Sequence, residues 1–580
     1  MSAPEPTTTP ETPETPEFAD SPDATAIADQ AVALDMLLVD GALWPAIRML
    51  PANAAVRLVL EIARHPGGAL RRAGELAEEL GRIAVGNSEL APGPKDRRFA
   101  DEAWRSNPVL RRLLQAYLAT STVGTEMVAE TDLDWRDRER LGFAMDNLVA
   151  ALSPSNNPLL NPLGWRAAAQ SRGSSALTGV RNLVADLASA PRVPTMVASD
   201  AFEVGKDLAV TEGAVVLRTE VFELIQYTPR TAQVRSRPLV IVPPVINKYY
   251  IADLRPGRSL IEYLVAQGQQ VFVVSWRNPD ASHRSWNLDT YGQAILDALD
   301  AARRITEADA VIPLGFCSGG ILLSMALAAL THRGEADRFA GFALGVCVLD
   351  QSRAGTASAL IDERTAALAK FASSVRGYLD GRALAEVFAW LRPDDLVWNY
   401  WVNNYLQGRQ PPAFDILYWN ADTTRMATGL HHAFVDMGLA NAMAAPGGIT
   451  MLGAPVDLRE VKTDGYVLAG VADHISPWQS CFRSARLFGG DVTFVLSSSG
   501  HIASIVNPPT NPKASYRAAR TSGDAEAWQA DTTLTKGSWW PDFLAWLGER
   551  SGPDKPAPEA LGGPCYSVVT AAPGSYVLER

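Results

Sequence analysis

Beyond about residue 201 the chain alternates short β-branched runs with stretches of helical periodicity. The runs are "AVVLRT" (214–219), "VFELIQY" (221–227), "PLVIVPP" (238–244), "QVFVVSW" (270–276), "AVIPLG" (310–315), "FALGVCVLD" (342–350), "GYVLAG" (465–470) and "VTFVLS" (492–497). The first two suit a hairpin. From the third onward, helical patterns such as "RSLIEYLVAQG" and "TYGQAILDALDAARRI" intervene. Parallel neighbours need a crossover long enough for a helix, so this alternation predicts a mostly parallel sheet covered on both faces. The fifth run passes through Gly315-Phe316-Cys317-Ser318-Gly319 directly into an apolar helix. That is the G-x-S-x-G elbow with cysteine where serine is usual.

Eight strands with an elbow after the fifth is the α/β-hydrolase plan, which also requires an acid after strand seven and a histidine after strand eight. "LAGVADHISPW" supplies Asp473 and "FVLSSSGHIASIVNPP" supplies His501 at those places. Gly315 and Gly319 would let the strained turn close around Cys317. The thiol would then stand at a helix N-terminus, where the dipole favours thiolate. His501 is expected as base and Asp473 as its orienting acid. The oxyanion donors are expected from the backbone N–H of Ser318 and from the loop after strand three, around Val245, Ile246 and Asn247. Weaker alternatives are His474 for the base and Asp350 for the acid. Cys347 reads as a buried small hydrophobe in an apolar strand, and Cys481 and Cys565 carry no local signal. His431 and His432 suit packing or surface roles better than metal binding.

The other segments set the organisation. Residues 1–25 are rich in Pro, Thr and Glu and are expected to be a disordered tail. Residues 26–200 place apolar residues three to four apart, which predicts a helical N-terminal domain. "SAPRVP" reads as the linker to a catalytic domain over 201–550, whose long helical and aromatic insertion at about 351–458 would form a cap. Residues 551–580 are left as a C-terminal tail. A net charge of −12 argues against a nucleic-acid surface. Four cysteines in 580 residues are too few for a disulfide framework, so a reducing cytoplasm is expected. Seven histidines make a multi-histidine metal site a poor expectation. No apolar run is long enough for a transmembrane helix, and the N-terminus lacks a signal-peptide pattern.

Several stretches are long and specific enough to carry a resemblance. They include "FELIQYTP", "VPPVINKYYIADL", "VFVVSWRNPD", "LRPDDLVWNYWVNNYLQG", "FDILYWNADTTR", "GVADHISPWQS" and "SGHIASIVNPPTNPKA". Across 201–550 the chain resembles the polyhydroxyalkanoate synthases, and "NYWVNNYL" and "WNADTTR" look most like the medium-chain type. The resemblance implies an acyltransferase that polymerises (R)-3-hydroxyacyl-CoA onto a growing polyester chain, with Cys317, Asp473 and His501 as its triad and no cofactor. It further implies a homodimer with a gating cap, granule-associated protein partners, and a cytoplasmic location on polyester granules. Phe316 is expected in the substrate pocket, where its ring would narrow the space for the C3 side chain.

The thiol itself has a chemical rationale. A serine would turn a thioester into an oxygen ester, and passing that on to a hydroxyl is ester for ester. A cysteine keeps the chain as a thioester, so each transfer to a 3-hydroxyl runs downhill, provided water is excluded. The base for that hydroxyl, His501 or Asp473, stays open at this level, as does the chain's route between additions. A cysteine thioesterase or depolymerase of the same fold, or a non-catalytic granule protein, are the competing readings.

Overall fold

The chain is described by a computed structural model over residues 52–188, 191–360 and 363–580. The expected tail (1–25), the start of the helical region (26–51) and residues 189–190 of the expected linker lie outside the described residues.

Six helices longer than one turn lead the described chain: α1 (Ala52–Arg64), α2 (Pro66–Val85), α3 (Pro108–Ala129), α4 (Trp135–Ala151), α5 (Pro162–Gln170) and α6 (Ser174–Ala188). Their starts follow from side chains that satisfy the orphan N–H groups of a first turn. Asn107 caps α3 by accepting from Val109, Asp134 caps α4 by accepting from Arg136, and Asn161 caps α5 by accepting from Leu163.

All eight β-branched runs contain strands: β1 (Gly213–Arg218), β2 (Phe222–Tyr227), β3 (Leu239–Val242), β4 (Val271–Trp276), β5 (Ile312–Phe316), β6 (Phe342–Gly345), β7 (Gly465–Gly470) and β8 (Val492–Ser497). Three more, β9 (Ser515–Arg520), β10 (Thr535–Lys536) and β11 (Thr570–Ala571), complete an 11-stranded sheet ordered β10-β9-β8-β7-β6-β5-β3-β4-β2-β1-β11. The run from β4 through β3, β5, β6 and β7 to β8 is parallel, whereas β1, β2, β9, β10 and β11 pair antiparallel at the edges. The period of two divides the central strands between two cores. Val240, Val242, Phe272 and Val274 pack on one face, and Leu239, Ile241, Val271 and Val273 on the other.

The insertion after β6 is helical, as expected: α10 (Gly355–Leu360), α11 (Glu363–Arg376), α12 (Gly381–Trp390), α13 (Asp415–Ala421) and α14 (Thr428–Ala440). Between α12 and α13 the backbone takes two π-helical turns, Asp394–Trp398 and Trp401–Leu406. The aromatic stretch packs against the leading helices. Trp390, Val397 and Trp398 share a core with Phe143, Ala150 and Val193, and Arg98 donates to Asp394 at 3.0 Å. Gly179 of α6 comes so close to Tyr405 that a Cβ there would lie 1.9 Å from its carbonyl oxygen.

The end of the chain, unplaced by sequence, is built into the sheet. β11 pairs with β1, and the fully buried Glu223 carboxylate accepts from Ser575 N (2.9 Å), Ser575 Oγ (2.8 Å) and Tyr576 N (3.0 Å). Buried Lys248 donates to the Glu579 carbonyl at 2.5 Å.

Candidate active site

Cys317 opens α9 (Cys317–His332) directly from β5. Its φ of 47° is a left-handed conformation that costs a non-glycine residue about 1–3 kcal/mol and persists only where the surroundings impose it. The surroundings do so at the flanking glycines. A Cβ on Gly319 would lie 2.2 Å from the Pro243 carbonyl oxygen, and one on Gly315 would lie 2.5 Å from Gly320 Cα. Glycine at both positions lets α9 start against β3, with the thiol at the positive end of a 16-residue helix.

Asp473 follows β7 and His501 follows β8, and the fold brings both to the elbow. His501 Nδ1 lies 2.7 Å from Asp473 Oδ2, and both side chains are buried. The carboxylate only accepts, so Nδ1 carries the proton. Asp473 Oδ1 accepts the backbone N–H groups of Ile475 (2.9 Å) and Ser476 (2.8 Å), so both of its oxygens are engaged. The Cys317 side chain also interacts with the imidazole and raises its pKa. With Nδ1 committed to Asp473, that contact falls to Nε2. Burial works against the imidazolium, but the charge and hydrogen bond of Asp473, together with Cys317, outweigh it and push His501 up to about 10.

The loop after β3 is held on two sides. Val245 N–H donates to Ser318 Oγ at 3.1 Å, the Val245 carbonyl accepts from Thr424 Oγ1 at 2.9 Å, and the Ile246 carbonyl accepts from Thr424 N–H at 3.0 Å. Asn247 is bridged to Thr423. The Val245 N–H is therefore spent on the elbow serine, which leaves Ser318, Ile246 and Asn247 as the backbone donors to consider.

The alternatives sit elsewhere. Asp350 is held by Asn441 at 3.0 Å and Arg483 at 3.2 Å. Neither ring nitrogen of His474 has a hydrogen-bond partner among the described residues, and burial, reinforced by Arg392, pushes it down to about 4. His431 packs in the cap with Nδ1 2.8 Å from Ser373 Oγ. Cys347 lies just past β6 rather than within a strand, because the chain turns at Val346 (φ 48°). Burial pushes its thiol, and that of Cys481, upward, whereas Cys565 is exposed.

Phe316 is placed differently from the pocket role expected of it. Its ring is fully buried in the sheet core, where a Cβ on Gly345 would lie 2.6 Å from it, and it is not among the residues lining the cavity at Cys317. Cys317 instead opens on a cavity of about 250 Å³ between α9, the loop after β6 and α14, with Ile321, Val348, Phe434 and Leu439 on its walls. One lining residue comes from α4 of the leading helices: Arg136. Sequence reasoning missed it, because nothing local in "DWRDRER" signals a contact made some 180 residues downstream. A larger cavity of about 330 Å³ beside Asp422, Arg425 and Arg580 does not include Cys317. Among the described residues no group of His, Cys, Asp and Glu side chains is arranged to hold a metal ion, and no helix is long and apolar enough to cross a membrane.

Residues 95–264 match the family described as "Poly-beta-hydroxybutyrate polymerase (PhaC) N-terminus", and residues 252–508 match the α/β-hydrolase fold. Poly(3-hydroxyalkanoate) polymerase 1 of Ectopseudomonas oleovorans is 45% identical over 536 residues, 92% of this chain and 96% of that one. Poly(3-hydroxyalkanoate) polymerase 2 of the same organism is 46% identical over 518 residues, 89% and 92% of the two chains. The poly(3-hydroxyalkanoate) polymerase subunit PhaC of Cupriavidus necator is 41% identical over 510 residues, 86% and 85%. With 45% identity over 92% of its length to one such polymerase, the chain belongs to the poly(3-hydroxyalkanoate) polymerase family.

Proposed function

We propose that the protein polymerises (R)-3-hydroxyacyl-CoA, of the medium-chain type, through an acyl thioester on Cys317. The observation that carries this reading is a cysteine, not a serine, at a strained elbow, beside an imidazole that a buried carboxylate orients at 2.7 Å. In line with its upward shift, His501 Nε2 carries the proton drawn from Cys317 Sγ, and the sulfur attacks the thioester carbonyl as the thiolate. The oxyanion is received by Ser318 N–H and a donor from the 245–247 loop. The same imidazolium then protonates the departing CoA sulfur.

Elongation reuses the imidazole. The 3-hydroxyl of an incoming unit gives its proton to His501, its oxygen attacks the acyl-Cys carbonyl, and Cys317 leaves and is reprotonated. We assign this base role to His501 because both Asp473 oxygens are already engaged and the carboxylate is buried. The extended chain, now a CoA thioester, returns to Cys317. Cys347 and Cys481 are fully buried thiols that burial disfavours as thiolates, so neither suits a second carrier.

The insoluble product bears on location. Helix α6 exposes Leu177, Val180 and Val184 on one stripe, at 76%, 60% and 62%, a surface suited to a hydrophobic granule. A homodimer with cap contacts is part of the same proposal, and sedimentation with and without substrate tests it. The activity is tested by incubating wild type and Cys317→Ser with 3-hydroxydecanoyl-CoA while following CoA release and insoluble polymer. Wild type should yield both and the variant almost no polymer. Stoichiometric free acid from wild type, without a rise in product mass, would make it a thioesterase.

A further inference from the structure

We propose that Arg136, carried by the leading helices rather than by the hydrolase fold, binds the phosphate-bearing end of the acyl-CoA at the mouth of the Cys317 cavity. This rests on the acyl-CoA reading above and extends it to a residue outside the catalytic fold.

Three observations point there. The first is position. Cys317 and Arg136 line one cavity whose other walls are largely apolar, with Ile321, Val348, Phe434 and Leu439 suited to an acyl chain. Arg136 is partly exposed, so this wall of the cavity is open to water. A CoA thioester must bring its carbonyl to the sulfur while its phosphates stay hydrated, which places a phosphate contact at the mouth.

The second observation is charge. The chain carries a net charge of −12, so an anionic substrate needs a local cation to approach. Among the described residues no carboxylate pairs with Arg136. Its acidic neighbours are committed: Asp137 pairs with Arg57 at 2.8 Å, and Glu139 accepts from Thr356 at 2.7 Å. The Arg136 guanidinium rests over the Trp135 ring at 5.0 Å, which orients it and leaves its in-plane donors for a bidentate phosphate contact.

The third is anchorage. Asp134 accepts the Arg136 backbone N–H at 2.9 Å and fixes the first turn of α4, while the Glu139–Thr356 bond ties α4 to α10 of the cap. The cation is thus set relative to the cavity by the cap interface.

The test compares wild type, Arg136→Gln and Arg136→Lys on 3-hydroxydecanoyl-CoA and on the matching 3-hydroxydecanoyl-pantetheine, which has the same thioester but no nucleotide phosphates. Arg136→Gln should raise KM for the CoA substrate about tenfold with kcat nearly unchanged, and Arg136→Lys should recover part of that loss. KM for the pantetheine thioester should be the same in all three. Calorimetric binding of free CoA, which needs no turnover, should weaken about tenfold in Arg136→Gln. Equal KM changes on both substrates, or unchanged CoA binding, would overturn the phosphate role. Failure of wild type to form polymer, with CoA binding still dependent on Arg136, would count against the polymerase reading and leave this one standing.

Discussion

Replacing Asp473 with asparagine exchanges one oxygen for an NH2 group, and the surrounding bonds dictate how the new side chain must sit. Oδ1 of Asp473 accepts two backbone N–H groups, from Ile475 and Ser476, at 2.9 and 2.8 Å. An NH2 group there would face two donors, so asparagine keeps its oxygen on them and presents the NH2 to His501 Nδ1. That nitrogen must then give up its proton and accept. The neutral imidazole is forced into the tautomer with its proton on Nε2, facing Cys317, where it cannot take another. The analogous change in a serine protease triad lowers kcat about 10⁴-fold, and a loss of about 10³–10⁴ is expected here. The carboxylate is also the main group that holds the imidazole at about 10 instead of 6.5, a preference for the protonated form of about 5 kcal/mol. Without it only burial is left to act strongly, and burial lowers His501. Stability carries the sign of this shift. A folded value raised above the unfolded one stabilises fully below about pH 6.5, and the gain is lost as pH rises through about 10. Wild type should therefore lose up to about 1.4 kcal/mol per pH unit across that window from this group, and Asp473→Asn should lack that slope. Single-turnover CoA release reads acylation, polymer mass reads elongation, and urea unfolding at several pH values reads stability. Both steps should fall equally, since Asp473 has no free oxygen for a substrate hydroxyl. Acylation within tenfold of wild type, or an unchanged stability slope, would refute the reasoning.

Two other changes probe the surroundings of the site. Phe316→Ala empties a fully buried ring position and should cost about 3–5 kcal/mol by chemical denaturation, with no shift in preference between 3-hydroxybutyryl- and 3-hydroxydecanoyl-CoA; a shift toward longer chains would return Phe316 to the substrate pocket. Charging the α6 stripe, as in Leu177→Glu with Val180→Glu and Val184→Glu, should leave the initial rate of CoA release unchanged and reduce the fraction of enzyme that sediments with polymer; undiminished co-sedimentation would remove the stripe from granule contact.

The turns that carry the proposed triad stood out because each follows a strand whose burial leaves a continuous apolar signal. β7 ends at Gly470 and β8 at Ser497, so the turns carrying Asp473 and His501 stand out against their strands. The proposed oxyanion loop was placed by its position after β3, but the commitment of Val245 N–H to Ser318 Oγ depends on a side-chain rotamer. Spacing next to a nucleophile does not say how deeply a strand residue is buried, and Phe316 lies wholly inside the sheet core that the partly buried Cys317 only packs against. β11 is two residues long and pairs through backbone alone, with Glu223 as its anchor, so "SVVTAAPGSY" gives no apolar periodicity to read. Arg136 and the docking of Trp390 and Trp398 on Phe143 are tertiary contacts between segments far apart in sequence, and neither leaves a local pattern.

The central claim is that the growing chain is held on Cys317 as a thioester. A saturated acyl-CoA of the same length, lacking the 3-hydroxyl, can acylate the enzyme but offers no oxygen for elongation. After a single turnover, intact-protein and peptide mass spectrometry should find one equivalent of acyl group on the peptide containing Cys317, with one equivalent of CoA released. The adduct should be lost on treatment with neutral hydroxylamine and absent in Cys317→Ser. An acyl group on another residue, or CoA release with free acid and no adduct at any time, would contradict the account.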